Sequence, residues 1–199
     1  MTVRRNVVRG VLLAALAASV AAPIGATTLA RVGLEELTAT NGSIVVGQVL
    51  DAHSYWNEDH NFIYTDVRIV TSEVLKGRAV AGGEVTVTLM GGTVGEMTTL
   101  IVAGAELIPG NSYVLFLNRE QMPGKRALTV RDHVQGVFDI VDELDGPRAV
   151  SQAKGHPLVP DLFGDAQPPG GHEGLALGAL LDEIRTIERS QRADRQEVK

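Results

Sequence analysis

Ile63-Tyr64-Thr65-Asp66-Val67-Arg68-Ile69-Val70-Thr71 decides the fold class. Ile63, Thr65, Val67, Ile69 and Thr71 alternate with Tyr64, Asp66 and Arg68, the two-residue period of a half-buried β-strand. Val85, Val87 and Leu89 alternate with Thr86 and Thr88 in the same way. Upstream, Ser43 to Tyr55 opens on Ile44, Val45, Val46 and Val49, a stretch suited to burial on both faces. Downstream, Tyr113-Val114-Leu115-Phe116-Leu117 reads as a buried strand after the turn Pro109-Gly110-Asn111. A weaker run at Leu100 to Val102 precedes it. Leu128 to Val130, Val137 to Val141 and Arg148 to Ser151 follow, the last two flanking Asp145-Gly146-Pro147. Short strands rich in Val, Ile and Thr, split by Gly and Pro turns without helical crossovers, predict a mainly β fold: a small antiparallel barrel or sandwich.

Helical signals lie only at the borders. Gly33-Leu34-Glu35-Glu36-Leu37 reads as a short helix closed by Asn41-Gly42. Lys154 to Gly171 carries Pro157, Pro160, Pro168 and Pro169 and reads as a linker. Leu177, Leu180, Leu181, Ile184 and Ile187 then recur at spacings of three and four. They predict an amphipathic helix from about Glu173 to Ser190, docked on the β domain, with its charges mostly off that face. The expected organisation is a signal peptide over 1–26, a β-barrel domain over 27–153, a linker over 154–172, a helix over 173–190 and a disordered tail over 191–199.

Arg4, Arg5 and Arg9 are the only charges before Arg31, and an Ala, Val and Leu run fills Val11 to Ala22. Pro23 and Gly25 end that run short of the roughly 20 apolar residues a membrane span needs. The pattern predicts a secretory signal cut after Ala26, with Ala30 as the second choice and a retained anchor as the alternative. Arg4-Arg5-Asn6-Val7-Val8 also fits a twin-arginine signal; the general secretory route is preferred. The absence of cysteine excludes disulfides, thiolate metal sites and a lipidated amino terminus. The full chain carries −6, and loss of the three leading arginines deepens this, so no nucleic-acid partner is expected. No membrane span remains after cleavage.

The order of the elements carries a resemblance. Val45-Val46-Gly47-Gln48-Val49, Thr65-x-Val67, Glu73-Val74-Leu75-Lys76-Gly77, Gly91-Gly92, Pro109-Gly110 before Tyr113 to Leu117, and Gln135-Gly136-x-Phe138 follow one another. Over Thr27 to Ser151 the chain resembles a family of uncharacterised exported bacterial β-domain proteins. More remotely it is similar to the netrin-like domain of tissue inhibitors of metalloproteases, which implies an OB-type barrel. Those inhibitors reach zinc through an amino-terminal cysteine that this chain lacks.

No residue pattern meets the standard of a catalytic site. Ser112 lacks the second glycine of a nucleophile elbow, and His172-Glu173 is followed by Gly174 and no further histidine. Gly91, Gly92 and Gly95 read as backbone positions of positive φ, because Glu96 stands where a phosphate would sit. The richest chemistry is the segment from His53 through Tyr55, Trp56, Glu58, Asp59, His60 and Phe62 to Tyr64. It offers imidazoles and carboxylates that zinc, nickel or copper accept, and half of the chain's aromatic rings. It is the candidate ligand-binding loop. The leading expectation is an exported non-catalytic binding domain for a protein, peptide or surface polymer, with no cofactor. An accessory or inhibitor protein of an exported protease is the alternative. A metal-binding or hydrolytic enzyme using His53 to His60 is the second.

Overall fold

Alternating side chains become ten strands in the computed structural model, which describes residues 29–154, 156 and 174–197. The signal over 1–26 and nearly all of the linker lie outside the described residues. Helix α1 (Leu34–Thr40) precedes β1 (Ser43–Trp56), β2 (Ile63–Lys76) and β3 (Glu84–Met90). A small hairpin, β4 (Gly92–Val94) with β5 (Met97–Thr99), leads to β6 (Ser112–Met122) and β7 (Lys125–Val130). A 3-10 turn (His133–Gly136), β8 (Val137–Glu143), β9 (Gly146–Ser151), β10 (Leu175–Ala176) and α2 (Leu177–Glu197) complete the chain. No helix among the described residues is long and apolar enough to cross a membrane.

The main sheet is antiparallel, in the order β10-β9-β8-β6-β1-β2-β3, and β7 pairs with β6 beyond the end of β8. Strand β1 bends at three register shifts, so Ser43 to Gln48 pair with β6 while its remainder pairs with β2 alone. The curl brings β3 beside β7. The expected barrel is not closed, however, because these two strands form no ladder. Thr86 and Thr88 of β3 and Lys125 and Leu128 of β7 line a groove along this seam.

The apolar runs are buried on both faces, as the sequence implied. In β6, Tyr113, Leu115 and Leu117 enter one core with Val45, Val49, Val67 and Val87. Val114 and Phe116 enter a second core with Ile44, Val46, Leu37 of α1 and Leu180, Leu181 and Ile184 of α2. A strand with helices on one face and curled sheet on the other has no solvent side, which removes the polar alternation. Leu100 to Val102 form no strand, and Leu100 and Val102 are exposed; the ladder there belongs to β4 and β5. Gly92, at φ 136°, shows why glycine occupies this crossing: a Cβ would lie 2.3 Å from Thr65 Oγ1.

Two motifs from the resemblance act as struts. In Glu73-Val74-Leu75-Lys76-Gly77, Glu73 pairs with Arg185 of α2, and Lys76 donates to Thr38 O of α1 at 2.5 Å and pairs with Glu188 of α2 at 3.6 Å. Gly77, at φ 104°, lets β2 leave the sheet against Ser43. Glu188 is therefore on the buried face of α2, contrary to the expected charge pattern. The helix also starts at Leu177, not Glu173, since Leu175 and Ala176 first pair with β9. It runs on past Ser190, where Arg192 binds Glu188 at 2.7 Å and Gln191 donates to Glu35 O at 3.1 Å.

The second strut is Gln135, 5% exposed, whose amide donates to Ala30 O at 2.9 Å and accepts from Val32 N at 2.8 Å. It fastens the segment leading into α1, while Phe138 packs its ring on Phe116. Gln135→Ala is expected to cost about 2 kcal/mol, two hydrogen bonds with a buried group left open. Urea unfolding, with protease cleavage near Ala30 as a local readout, measures it; an unchanged midpoint would discount the clamp.

Candidate functional site

The β1–β2 hairpin is shaped by Asn57, which the sequence reading passed over. Its backbone N–H donates to Phe62 O at 2.8 Å, and its buried side-chain oxygen accepts from Asn61 N and Phe62 N, both at 3.0 Å. His60 N donates to Asn57 O at 3.0 Å, and His60 adopts φ 53°, a left-handed position of a tight turn. The polar residues of this loop serve a turn built by an asparagine.

The predicted ligand set does not converge. His53, Glu58, Asp59 and His60 are all exposed. His53 lies on β1 opposite Asp66, while His60 sits at the tip with Nδ1 3.2 Å from Glu58 O. Among the described residues no three of His, Asp or Glu gather as a metal would require. Ser54, the serine next to His53, shares its hydroxyl with Thr65 at 2.8 Å.

The aromatic residues do converge. Tyr55 pairs with Tyr64 across the β1–β2 ladder, their ring centroids 6.3 Å apart, and Phe62 lies 5.1 Å from Tyr64. Trp56, half-buried, pairs with Ile63 beside them. Tyr64, Met122 and Ala127 form a third buried cluster against Tyr55 and Phe62. The rings thus close the end of the sheet, where the β1–β2 hairpin meets the β6–β7 hairpin. Tyr64 hydroxyl donates to Pro123 O at 2.7 Å and fixes one hairpin to the turn of the other.

Lys125 completes this corner. Its ammonium donates to Tyr55 Oη at 2.6 Å, lies 3.5 Å from Asp66 Oδ1, and sits 5.3 Å and 5.8 Å from the Tyr55 and Tyr64 ring centroids. Aromatic faces hold a cation through their quadrupole, more firmly where water is partly excluded. Partial burial alone would lower the Lys125 pKa; the Tyr55 hydrogen bond and the Asp66 charge outweigh it and raise the value. Burial raises the Tyr64 phenol as well, against the pull of Lys125. Asp66 also accepts from Thr88 Oγ1 at 2.5 Å. The signal that could have found Lys125 is its place after Met122-Pro123-Gly124, a turn whose return strand begins with a cation.

A groove of about 420 Å³ opens beside this corner, between β3 and β7, with Asp66 and Lys125 on its wall. The arrangement offers a charged rim, hydroxyls and a ledge of rings on a rigid support. Its side chains can hydrogen-bond polar groups, and within it the Thr88 hydroxyl donates to the Asp66 carboxylate. No protein-family model matches the chain, and no curated protein matches it either.

Proposed function

We propose that the chain is an exported, non-catalytic binding domain that presents the corner of its β1–β2 and β6–β7 hairpins, with the groove beside it, to a protein, peptide or surface polymer. The observation that carries this reading is the Tyr55–Lys125–Asp66–Thr88 chain of contacts. Each polar group there is engaged by its neighbour, which supports reading the corner as a pre-arranged recognition surface. Binding residues on loops held by a stiff scaffold are the usual arrangement for recognition. Export rests on the Arg4 to Ala26 pattern and places the mature domain in the periplasm or outside the cell. The order β3-β2-β1-β6-β7, curled until β3 meets β7, supports an OB-type, netrin-like reading of the core.

The test uses the mature chain, beginning at Thr27, immobilised and exposed to culture medium from the cells that make it. Wild type is expected to retain a specific macromolecule, and Lys125→Met is expected to retain less than a tenth as much while keeping its circular dichroism spectrum. Equal retention by both would remove the corner as the site. Turnover of any substrate that vanished with one polar side chain would replace binding by catalysis. A retained protease slowed in stoichiometric fashion would narrow binding to inhibition.

A further inference from the structure

The groove does not end at the Tyr55–Lys125 corner. A second stretch of about 750 Å³ continues past Ser43, Arg78 and Asn118, and the two meet at Glu84, Val85, Arg119 and Leu128. The groove therefore follows much of the open seam of the sheet. Val85 and Leu128 also pack onto the inner core, which gives the groove a fixed apolar floor.

Charge along it is unevenly committed. Both carboxylates are engaged: Asp66 by Thr88 and Lys125, and Glu84 by Arg68 at 3.5 Å. The guanidinium groups of Arg78, Arg119 and Arg126 are exposed and make no ion pair or side-chain hydrogen bond among the described residues. Acidic side chains outnumber basic ones, 24 to 18, in the whole chain. Three uncommitted arginines on one groove are thus a local inversion of sign. At physiological salt, screening over roughly 8 Å lets these nearby charges, not the distant net charge, set the potential inside the groove. A guanidinium holds a carboxylate through two parallel hydrogen bonds. Along the same groove β3 joins no ladder on its outer side among the described residues, but β7 lies beside that edge, so the groove presents side chains to a partner and not an open strand edge.

We propose that this seam binds an extended acidic peptide segment of a partner protein. Its carboxylates meet Arg78, Arg119 and Arg126, and its apolar side chains rest on Val85 and Leu128. This rests on the reading of the chain as a binding domain and names its partner's chemistry. A peptide is favoured over an anionic sugar polymer because it can alternate carboxylates for the arginines with apolar side chains for the Val85 and Leu128 floor.

The probe is a fluorescein-labelled peptide of alternating Glu and Val, read by anisotropy at physiological salt, with its Lys–Val counterpart and polygalacturonate as comparisons. The mature wild type is expected to bind the Glu–Val peptide and not the Lys–Val one. Arg119→Glu with Arg126→Glu is expected to weaken binding about tenfold or more with an unchanged melting temperature, since both residues are exposed and their guanidinium groups bind no side chain among the described residues. No binding by wild type, equal binding by the double variant, or polygalacturonate competing as well as unlabelled peptide would overturn the proposal. A partner retained from culture medium equally by wild type and the double variant, yet lost with Lys125→Met, would leave the binding-domain reading standing and remove this one.

Discussion

Lys76→Ala is expected to lower the unfolding free energy by about 3 kcal/mol, the cost of breaking a buried ion pair from one side. The Lys76 side chain is 11% exposed and its partner Glu188 is 7% exposed. Its ammonium donates to Thr38 O at 2.5 Å and Ala39 O at 3.4 Å, at the carboxy-terminal end of α1. Such carbonyls have no partner within their own helix, and a cation there also faces the negative end of the helix dipole. Removing the lysine leaves a carboxylate inside without that ammonium and two carbonyls open. The change is read as a lower urea midpoint. Lys76→Met with Glu188→Leu should recover most of the loss, because it removes both charges together. A single-variant cost under about 1 kcal/mol would mean that apolar contacts alone dock the helices.

Tyr64→Ala is expected to cost about 4 kcal/mol, and Tyr64→Phe about 1 kcal/mol. The ring is 1% exposed, and its hydroxyl makes the bond to Pro123 that fixes the β6–β7 turn. Alanine would leave a cavity among Phe62, Met122 and Ala127 and free Lys125 from one of its two rings. The same corner gives an alkaline signature. The raised Tyr64 pKa means the folded chain holds that proton more tightly than the unfolded chain does. Its stabilising contribution is therefore full at neutral pH and is lost as pH climbs through and above the ordinary tyrosine range, near 10. Lys125, also raised, acts in the same direction. Ultraviolet titration of tyrosinate should show a late-ionising component in the wild type that is reduced in Tyr64→Phe. A wild type whose tyrosines all ionise together at the ordinary value would contradict the buried, bonded phenol.

The candidate site was only half legible. Tyr55, Phe62 and Tyr64 stood out as rings gathered in one segment, and they do meet. His53 and His60 stood out equally and remain apart, because a strand residue and a turn tip diverge however close they are in sequence. The turn Met122-Pro123-Gly124 marks Lys125 as the start of a return strand, but not its meeting with Tyr55, 70 residues away. The Glu73 to Gly77 motif was visible as a pattern, but its purpose is to brace α1 and α2, and that contact exists only once the helices dock.

Alternation and continuous apolar runs by themselves determined that the chain forms antiparallel strands and where β1, β2, β3, β6 and β8 run, though not β4, β5 or β10. Side-chain period and turn chemistry are local, so a single segment contains enough to fix them. Only the tertiary structure decided that the sheet curls without closing, that Glu188 faces inward, and that three arginines share one groove. Those outcomes depend on where bends in β1 send residues far apart in the chain, and no local period encodes that distance.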